Sequence, residues 1–529
     1  MKHVIYIISV LLLCAGHIYG QIDCASLRKT TLNKDFDLSY SAFVTSKNES
    51  LLNLYPYRSF SSEKGDIYVT TLKPGICHVE KYNSELQLLG INTFEIEMSN
   101  SRTYFGIKQL GENIYLIYID REKKEESNLI CQLIDPENLK LSAEKTVLLS
   151  SAEDIDFVQE NVSKSGVARM NLTLYESPNN NFLCICIESD PVQHPNTQFL
   201  IKVVNKNLEE EYSVIVETGI KSEILFEPNC IVADDGRVVV DVGIWFNPKQ
   251  NGWDIESNST RKLYLLSSTS TTVTVLTIET QTAKYTVENL IVNFAADKIY
   301  CFATLMKAGV KRFHYDSELL VYDFDSGALL KEFPTELFNH LDETAVQNYN
   351  QSAKAKPEEL SREFTPVTFD FNPMGDIFLM FYGEGYQNPN SGFSVRPVAF
   401  MVLDSAFNIK KTDLFFSSSF IYGFFVQGNS FHLYLSSHTP IISALNIPYK
   451  ESLIENQKAF REDRFFLSDV RLDPDGKFQI TDIKKICADD KDKIFTYTLN
   501  YHLKSNRYVV IGKTAEKDPV YKLISFKIN

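Results

Sequence analysis

A short unit recurs eight times along the chain, and it constrains the fold more than any other feature. Each copy is a tight polar turn followed by a strand of aromatic and β-branched residues, as in Gly65-Asp66 before Ile67-Tyr68-Val69. The eight strands begin at or near residues 67, 114, 182, 238, 299, 377, 431 and 508. Gly, Asn and Asp turns between short β-prone segments predict antiparallel hairpins. Helical periodicity is nearly absent, so the sequence predicts an all-β protein.

A second element of the unit is an apolar strand that runs into another polar hairpin. It occurs at Leu129–Asp135, Phe199–Val204, Leu319–Phe324 and Val398–Asp404. The hairpin side chains that follow, as in Asn205-Lys206-Asn207-Leu208, can accept backbone N–H bonds. Each full unit therefore predicts a four-stranded antiparallel meander.

Repeated four-stranded meanders resemble the β-propeller superfamily. The resemblance is architectural, because the chain has no Trp-Asp repeat, kelch pattern or Asp-box. It implies a seven- or eight-bladed β-propeller of four-stranded antiparallel sheets, with minor helical insertions, over residues 36–529. Propeller blades usually repeat every 40–50 residues or so, and the longer intervals here imply large added loops. A β-sandwich or a pair of β domains is the alternative architecture.

The first twenty residues have the pattern of a secretory signal peptide. Lys2 and His3 precede the apolar stretch Val4–Ala15, which is too short to cross a bilayer. A lipoprotein signal using Cys14 is disfavoured by the bulky Leu13 before it. We expect a signal peptide at 1–20, a lead-in at 21–35, and a secreted, periplasmic or cell-surface protein without a transmembrane segment in the mature chain.

The cysteines suit an exported protein but not a zinc site. Removal of the signal peptide leaves eight, and their wide spacing contains no Cys-x-x-Cys pair: Cys24, Cys77, Cys131, Cys184, Cys186, Cys230, Cys301 and Cys487. An even number permits disulfides in an oxidising compartment. For Cys131, Cys184, Cys186 and Cys301 we favour small buried core residues over bridges, and we expect no metal site.

Charge and motifs exclude several functions. The chain has 53 Lys and Arg residues against 68 Asp and Glu, a formal net charge of −15. Nucleic acid is not an expected partner, because its binding depends on clustered basic residues. There is no Gly-x-Ser-x-Gly elbow, His-Glu-x-x-His motif or Gly-rich phosphate loop. We therefore predict no cofactor, name no catalytic residues, and favour a binding protein over an enzyme.

The longest predicted connections all fall at one end of the meanders. Between second and third strands they are Asp120–Ser127, Glu188–Gln198, Gly243–Lys262, Thr304–Glu318 and Tyr382–Arg396; between meanders they are Ser150–Arg169 and Phe338–Phe364. Successive antiparallel connections alternate between the two ends of the strands. We expect one face to carry the elaboration and to be the working face. Short helices are expected near 357–362 and 451–461.

Aromatic, amide and charged residues in these loops suit a sugar or peptide ligand. The candidate ligand-binding residues are Trp245, Trp253, Arg312, His314, Tyr315, Tyr382, Glu384 and Tyr386. The leading hypothesis is a secreted or envelope-exposed propeller that binds a glycan or a protein on its long-loop face. The alternatives are an exported glycan hydrolase or lyase on the same fold, and a structural surface protein without a small-molecule site.

Overall fold

The computed structural model describes the strand-forming parts of the chain. The described residues are 22–31, 57–61, 67–73, 76–95, 102–123, 126–150, 161–162, 168–169, 172–189, 196–221, 228–245, 259–278, 285–307, 315–353, 364–383, 386–387, 394–417, 420–427, 430–437, 442–443, 466–472, 478–483, 494–502, 507–514 and 521–528. The chain divides into two compact units. The first comprises Met1–Glu122, Leu129–Val147 and Asp489–Asn529; the second comprises Lys123–Asn128 and Leu148–Ala488.

Three four-stranded antiparallel sheets make up the described part of the first unit, and we number sheets by chain order. Sheet 1 consists of β2 (Tyr57–Ser61), β3 (Ile67–Lys73), β4 (Ile76–Tyr82) and β5 (Leu88–Glu95). Sheet 2 consists of β6 (Arg102–Leu110), β7 (Asn113–Lys123), β8 (Glu126–Ile134) and β9 (Thr146–Ser150). Sheet 8 consists of β34 (Ile494–His502), β35 (Arg507–Thr514), β36 (Tyr521–Ile528) and β1 (Ile22–Thr31).

The second unit contains sheets 3 to 7, each with four consecutive main strands. Sheet 3 consists of β12 (Leu172–Glu176), β13 (Phe182–Glu188), β14 (Asn196–Asn205) and β15 (Glu210–Lys221). Sheet 4 consists of β16 (Asn229–Val232), β17 (Val238–Trp245), β18 (Ser259–Ser267) and β19 (Ser270–Ile278). Sheet 5 consists of β20 (Tyr285–Ala295), β21 (Lys298–Lys307), β22 (Tyr315–Asp323) and β23 (Leu329–Pro334). Sheet 6 consists of β24 (Thr365–Phe371), β25 (Ile377–Tyr382), β27 (Ser394–Leu403) and β28 (Ile409–Ser417). Sheet 7 consists of β29 (Phe420–Gln427), β30 (Ser430–Ser437), β32 (Phe466–Leu472) and β33 (Phe478–Ile483).

Smaller elements lie in the connections of the second unit. β10 (Asn161–Val162) pairs with β11 (Ala168–Arg169). β26 (Tyr386–Gln387) pairs with β27, and β31 (Ile442–Ser443) pairs with β28. A 3-10 helix (Leu337–His340) and helix α1 (Glu343–Ala353) link sheets 5 and 6.

The recurring turn and strand of the sequence have the same place in every sheet. All eight predicted strands are second strands, from β3 in sheet 1 to β35 in sheet 8, and each begins within one residue of its expected start. The apolar segments that precede the second hairpin are third strands in sheets 2, 3, 5 and 6. The meander inferred from the sequence is confirmed.

The hydrophobic cores lie between successive sheets. Described cores are shared by sheets 1 and 2 in the first unit, and by sheets 3 and 4, 4 and 5, and 5 and 6 in the second. Strand β17 shows why. Val238 and Val240 pack toward sheet 3, whereas Val239 packs toward sheet 5. Side chains alternate along a strand, so a strand that is apolar at every position is buried on both faces of its sheet.

The N-terminal strand completes the last sheet of the first unit. β1 pairs antiparallel with β36, from Ile22 opposite Ile528 to Thr31 opposite Lys522. The first strands of sheets 1 and 8, β2 and β34, are also in contact. An edge strand that would otherwise expose unpaired backbone groups is thereby covered.

The helical insertion is capped and anchored by its own residues. The Asp342 carboxylate accepts the backbone N–H of Thr344 at 2.8 Å, which is the N-cap arrangement. Leu337, Leu341 and Ala345 are buried in the core shared by sheets 5 and 6. Minor helical insertions are thus confirmed, although the two segments where we expected helices, 357–362 and 451–461, lie outside the described residues.

Chain-order meanders stacked face to face identify the fold as all-β and of the β-propeller type. The number of blades, seven or eight, and the single-domain boundary at residues 36–529 stay predictions. In the part of the chain that the structure describes, no helix is long and apolar enough to span a membrane.

Candidate functional site

Each sheet has two ends, and their connections differ in length. The turn end carries the first-to-second and third-to-fourth connections; the loop end carries the second-to-third connection and the link to the next sheet. Turn-end connections are mostly short, as at 111–112, 206–209 and 268–269, and the longest is 135–145. The loop-end connections of seven or more residues are 32–56, 151–171, 189–195, 222–228, 246–258, 308–314, 335–364, 383–393, 438–465 and 484–493. Every connection of twelve or more residues lies at a loop end, as predicted, but sheets 1 and 2 depart from the pattern because their second-to-third connections, 74–75 and 124–125, have two residues each.

Two details of that prediction need correction. Asp120–Ser127 is not a long loop, because β7 continues to Lys123 and β8 begins at Glu126. Backbone N–H and C=O groups pair whatever side chains the strand carries, so the strands continue beyond the apolar pattern that marks them in the sequence. The longest second-to-third connection, 438–465 in sheet 7, was not predicted, because the strand that follows it, Phe466–Leu472, was not recognised in the sequence.

The same side-chain-to-backbone hydrogen bond recurs in four of the third-to-fourth turns. Asn83, Asp135, Asn205 and Asp404 each begin a third-to-fourth turn and accept the backbone N–H two residues on, at 2.8–2.9 Å. The same turns contain residues with positive φ: Leu86, Leu139, Leu208 and Phe407. These bonds satisfy the turn internally. The hairpin chemistry expected from the sequence is confirmed.

Turn-end groups also bond between neighbouring sheets of the second unit. Asp234 of sheet 4 accepts the N–H of Asn179 in sheet 3 at 2.9 Å. Arg237 of sheet 4 donates to the carbonyl of Ala296 in sheet 5 at 2.5 Å. The Lys331 ammonium group of sheet 5 donates to the carbonyl of Ala406, in the third-to-fourth turn of sheet 6. These bonds join the turn end of each sheet to the turn end of the next. Sheets 3 to 6 therefore have the same orientation, and their loop ends lie on one side of the second unit.

Sheet 7 joins this arrangement through its long loop. Ile442 and Ser443 form β31 inside connection 438–465, and they pair with Phe416 and Phe415 of β28. Phe415 and Phe416 lie near the loop end of the fourth strand of sheet 6. A loop-end segment of sheet 7 thus extends sheet 6 by one strand. The loop ends of sheets 3 to 7 form one face of the second unit, which we call the loop face.

Four of the eight candidate ligand-binding residues lie on described strands at the loop face. Trp245 ends β17 opposite Ser259, and Tyr315 begins β22 opposite Met306. Tyr382 ends β25 opposite Val398, and Tyr386 lies in β26 opposite Val395. They come from three successive sheets, 4, 5 and 6. The other four are outside the described residues: Trp253, Arg312, His314 and Glu384. The binding role of all eight stays a prediction.

The chain leaves sheet 6 at the loop face through a tight bend. Gly383 follows Tyr382 and donates its N–H to the Pro397 carbonyl at 2.9 Å. A Cβ on Gly383 would overlap the ring of Pro397 and crowd the Phe364 ring. Only glycine fits this close approach, so the bend fixes where connection 383–393 begins.

A buried ion pair lies between sheets 4 and 5. Asp241 on β17 is 1% exposed, and its Oδ2 accepts a hydrogen bond from Arg261 Nη1 on β18 at 2.8 Å. Burial raises the pKa of Asp241 to about 6, and the Arg261 charge opposes that rise. Asp241 Oδ1 has no hydrogen-bond partner in the described structure. The Asp241 side chain is buried and the Arg261 side chain is only partly exposed, so the ion pair joins two neighbouring strands of sheet 4.

A pair of carboxyl groups lies in sheet 5 near the loop face. Glu318 on β22 is 7% exposed and is hydrogen-bonded to Glu332 on β23. Burial, and then the bond to Glu332, raise the pKa of Glu318 to about 8. The pair therefore shares a proton at neutral pH, as two carboxylates in contact must.

The carboxyl pair does not have the geometry of a glycosidase. Such enzymes hold their two carboxyl groups about 5–9.5 Å apart, with the sugar or a water between them. In hydrogen-bonded carboxyl groups the two bonded oxygen atoms are about 2.5–2.7 Å apart. That separation leaves no room for a sugar or a water molecule between them. Among the described residues, no group of three or more His, Cys, Asp or Glu side chains is arranged to hold a metal ion.

The sequence reading missed both buried pairs. One signal was available, because Asp241 is the one acid in the otherwise apolar segment Val238–Ile244 and Glu318 directly precedes the apolar segment Leu319–Val321. An acid in a fully buried strand must be paired or protonated. The partners Arg261 and Glu332 could not be found without the strand register.

Known proteins add little to this description. No protein-family description matches the sequence, and no curated protein matches it. Among solved structures, the chain resembles the β-propeller domain of the Trilobed protease from Pyrococcus furiosus, with 12% identity, a TM-score of 0.34, and coverage of 82% of this chain and 98% of that one.

Two further structures are similar over most of the chain. The WD40 domain of SCAP from fission yeast has 8% identity, a TM-score of 0.39, and coverage of 95% of this chain and 98% of that one. The polysaccharide lyase Uly1 has 8% identity, a TM-score of 0.39, and coverage of 93% and 95%. With TM-scores below 0.5, these similarities carry no argument about the function of this chain.

Proposed function

We propose that this protein is an exported β-propeller that binds a glycan or a protein ligand on its loop face. The observation that carries the proposal is the contrast between the two ends of the sheets. At the turn end, polar groups of the described turns hydrogen-bond within their own turns or to a neighbouring sheet. The longest connections are attached at the other end of the sheets. Rigid scaffolds commonly carry their binding residues on such loops.

Several features support this choice over catalysis. The candidate aromatic residues come from three neighbouring sheets, so one ligand could contact several of them. The carboxyl pair that the structure describes near the face, Glu318 with Glu332, is hydrogen-bonded to itself and lacks the spacing for glycoside hydrolysis. Export is part of the proposal and is supported by the signal-like residues 1–20.

The test replaces the loop aromatics one at a time. Trp245→Ala and Trp253→Ala should each weaken binding about tenfold or more, because buried tryptophans commonly dominate interfaces. Binding is measured on a glycan array, followed by titration of the captured oligosaccharides, and by co-purification of protein partners. Met374→Ala is the matched control, because Met374 is 54% exposed at the turn end of sheet 6.

The results separate the alternatives. Unchanged affinity in both tryptophan variants, with circular dichroism showing intact sheets, would contradict the loop-face assignment. Release of new sugar ends from a bound glycan would indicate the exported hydrolase or lyase instead. Absence of any ligand in both screens would favour a structural surface protein.

A further inference from the structure

Three buried thiols meet between sheets 3 and 4 of the second unit. Cys184 and Cys186 lie on β13, and Cys230 lies on β16, the first strand of sheet 4. They are 0%, 2% and 4% exposed and belong to one core. As expected from the sequence, Cys184 and Cys186 are free buried core residues on the same side of their strand. Cys230, from the neighbouring sheet, is packed in the same core as both, and its strand β16 is in contact with β13.

Strand β16 is held in place over the two thiols of β13 by tyrosines of sheet 3. Tyr175 donates to the Pro228 carbonyl at 2.8 Å, just before β16 begins. Tyr212 donates to the Gly236 carbonyl at 3.0 Å, in the turn after β16. Both ends of β16 are therefore tied to sheet 3, and Cys230 lies between the two ties. The contact among the thiols follows from two fixed strands.

The surroundings favour a bond between sulfurs over a metal ion or a reactive thiolate. No described set of His, Cys, Asp or Glu side chains has metal-holding geometry. Burial raises the pKa of Cys230 well above its ordinary value, so the packed thiol is neutral and a poor nucleophile. Alternate residues of a strand are about 6.6–6.8 Å apart, at the upper limit for a disulfide. A Cys184–Cys186 bond is therefore unfavourable, and Cys230 is the better partner for either.

We infer that Cys230 forms a disulfide with Cys184 or Cys186 when the chain folds in an oxidising compartment, joining sheet 3 to sheet 4 and leaving one thiol free. The inference rests on the export included in the proposed function. Three thiols can make only one such bridge, because each sulfur forms one S–S bond.

The bond forms by thiol–disulfide exchange with a disulfide donor of the glutathione type. The Cys230 thiolate attacks the donor and expels one donor thiol, giving a mixed disulfide. The second cysteine thiolate then attacks the Cys230 sulfur and expels the other donor thiol. Two protein thiols lose two protons and two electrons in total, and the donor disulfide is reduced to two thiols. Exchange must precede the packing of sheets 3 and 4, because the three packed thiols are buried and a donor disulfide cannot reach them.

The experiment refolds the full mature chain from denaturant in a glutathione redox buffer. Free thiols are then blocked under denaturing conditions, and the unreduced chain is digested for mass spectrometry. We expect a peptide containing Cys230 linked to the peptide containing Cys184 and Cys186, with the third thiol blocked. Its mass should be that of the two reduced peptides minus two hydrogens plus the mass added by one blocking group. Full blocking of all three thiols would overturn the inference.

Variants locate the bridge and show its effect. Cys230→Ser should abolish the linked peptide, whereas Cys184→Ser and Cys186→Ser should leave it intact in at least one case. Cys131→Ser, a buried cysteine of sheet 2, is the matched control and should leave it unchanged. The oxidised chain should unfold at a higher urea concentration than the same chain with reductant. If a chain that contains the bridge has the same urea midpoint with and without reductant, the disulfide does not stabilise the contact between sheets 3 and 4.

Refolding in a defined buffer also separates this inference from the proposed function. If the bridge forms in the buffer but is absent from protein recovered from its source, the export hypothesis fails and the disulfide site stands. If export is demonstrated and all three thiols remain reduced, the disulfide site fails while the loop-face proposal is untouched.

Discussion

Replacing Glu318 by Gln should remove a specific part of the pH dependence of stability. In the folded chain, burial and the bond to Glu332 raise the pKa of Glu318 from 4.5 to about 8. Between these values the folded state holds a proton that the unfolded chain has lost. The folded state therefore binds more protons, and the free energy of unfolding falls as pH rises. The stabilisation is present below about pH 4.5 and is lost as pH rises through 8.

The magnitude follows from the shift. One pKa unit corresponds to about 1.4 kcal/mol, so the wild-type chain should lose roughly 2 kcal/mol between pH 6 and pH 8 through this pair. Asp241 contributes at lower pH, because burial raises its pKa only to about 6. The window from pH 6 to 8 therefore isolates the glutamate pair from Asp241.

Urea unfolding of the wild type and of Glu318→Gln, followed by intrinsic fluorescence at pH 6, 7 and 8, measures the effect. The Gln amide can still donate to the Glu332 carboxylate, so the variant keeps the bond and loses the titration. Glu332→Gln should reduce the decline only in part, because burial, the larger cause of the raised pKa of Glu318, remains. Glu217→Gln, at an exposed position of β15, should follow the wild type. An equal decline in wild type and Glu318→Gln would refute the shared-proton assignment.

Two further predictions concern packing in the second unit. Arg261→Met should cost about 3–5 kcal/mol of unfolding free energy, because it leaves Asp241 buried without its cation; a double variant with Asp241→Leu should recover much of the loss, and no recovery would contradict the pairing. Gly327→Ala should destabilise more than Gly219→Ala in urea unfolding. Both have positive φ, +67° and +66°, at about 1–3 kcal/mol of strain each, but only the Cβ at 327 would overlap the Leu276 side chain. Equal losses would show that backbone strain alone matters.

Much of the fold could be predicted from the sequence because it is locally encoded. Turn residues such as Gly236 and Gly375, and hairpin acids such as Asp135 and Asp404, act over a few residues. An apolar strand such as Val238–Val240 shows burial on both faces without reference to any partner. The repeat of these local signals sets the strand order, and it also shows at which end of the meanders the longest connections lie.

Loop boundaries were less accurate for a physical reason. Strands continue beyond the apolar core as long as backbone groups can pair, so β7 extends through charged residues to Lys123. Helix α1 was missed although Asp342 is an N-cap, because its helical pattern has few apolar positions. Pattern alone cannot detect elements that are fixed by a single cap and a few buried contacts.

The sequence by itself determined the meander, its eightfold recurrence and the separation of turn end from loop end, since these depend on neighbours along the chain. The tertiary structure alone decided which distant residues meet. Arg261 with Asp241, Glu332 with Glu318, and Cys230 with Cys184 and Cys186 depend on strand register and on how one sheet packs against the next. Both are set by contacts far apart in sequence, so a single chain of letters does not reveal them.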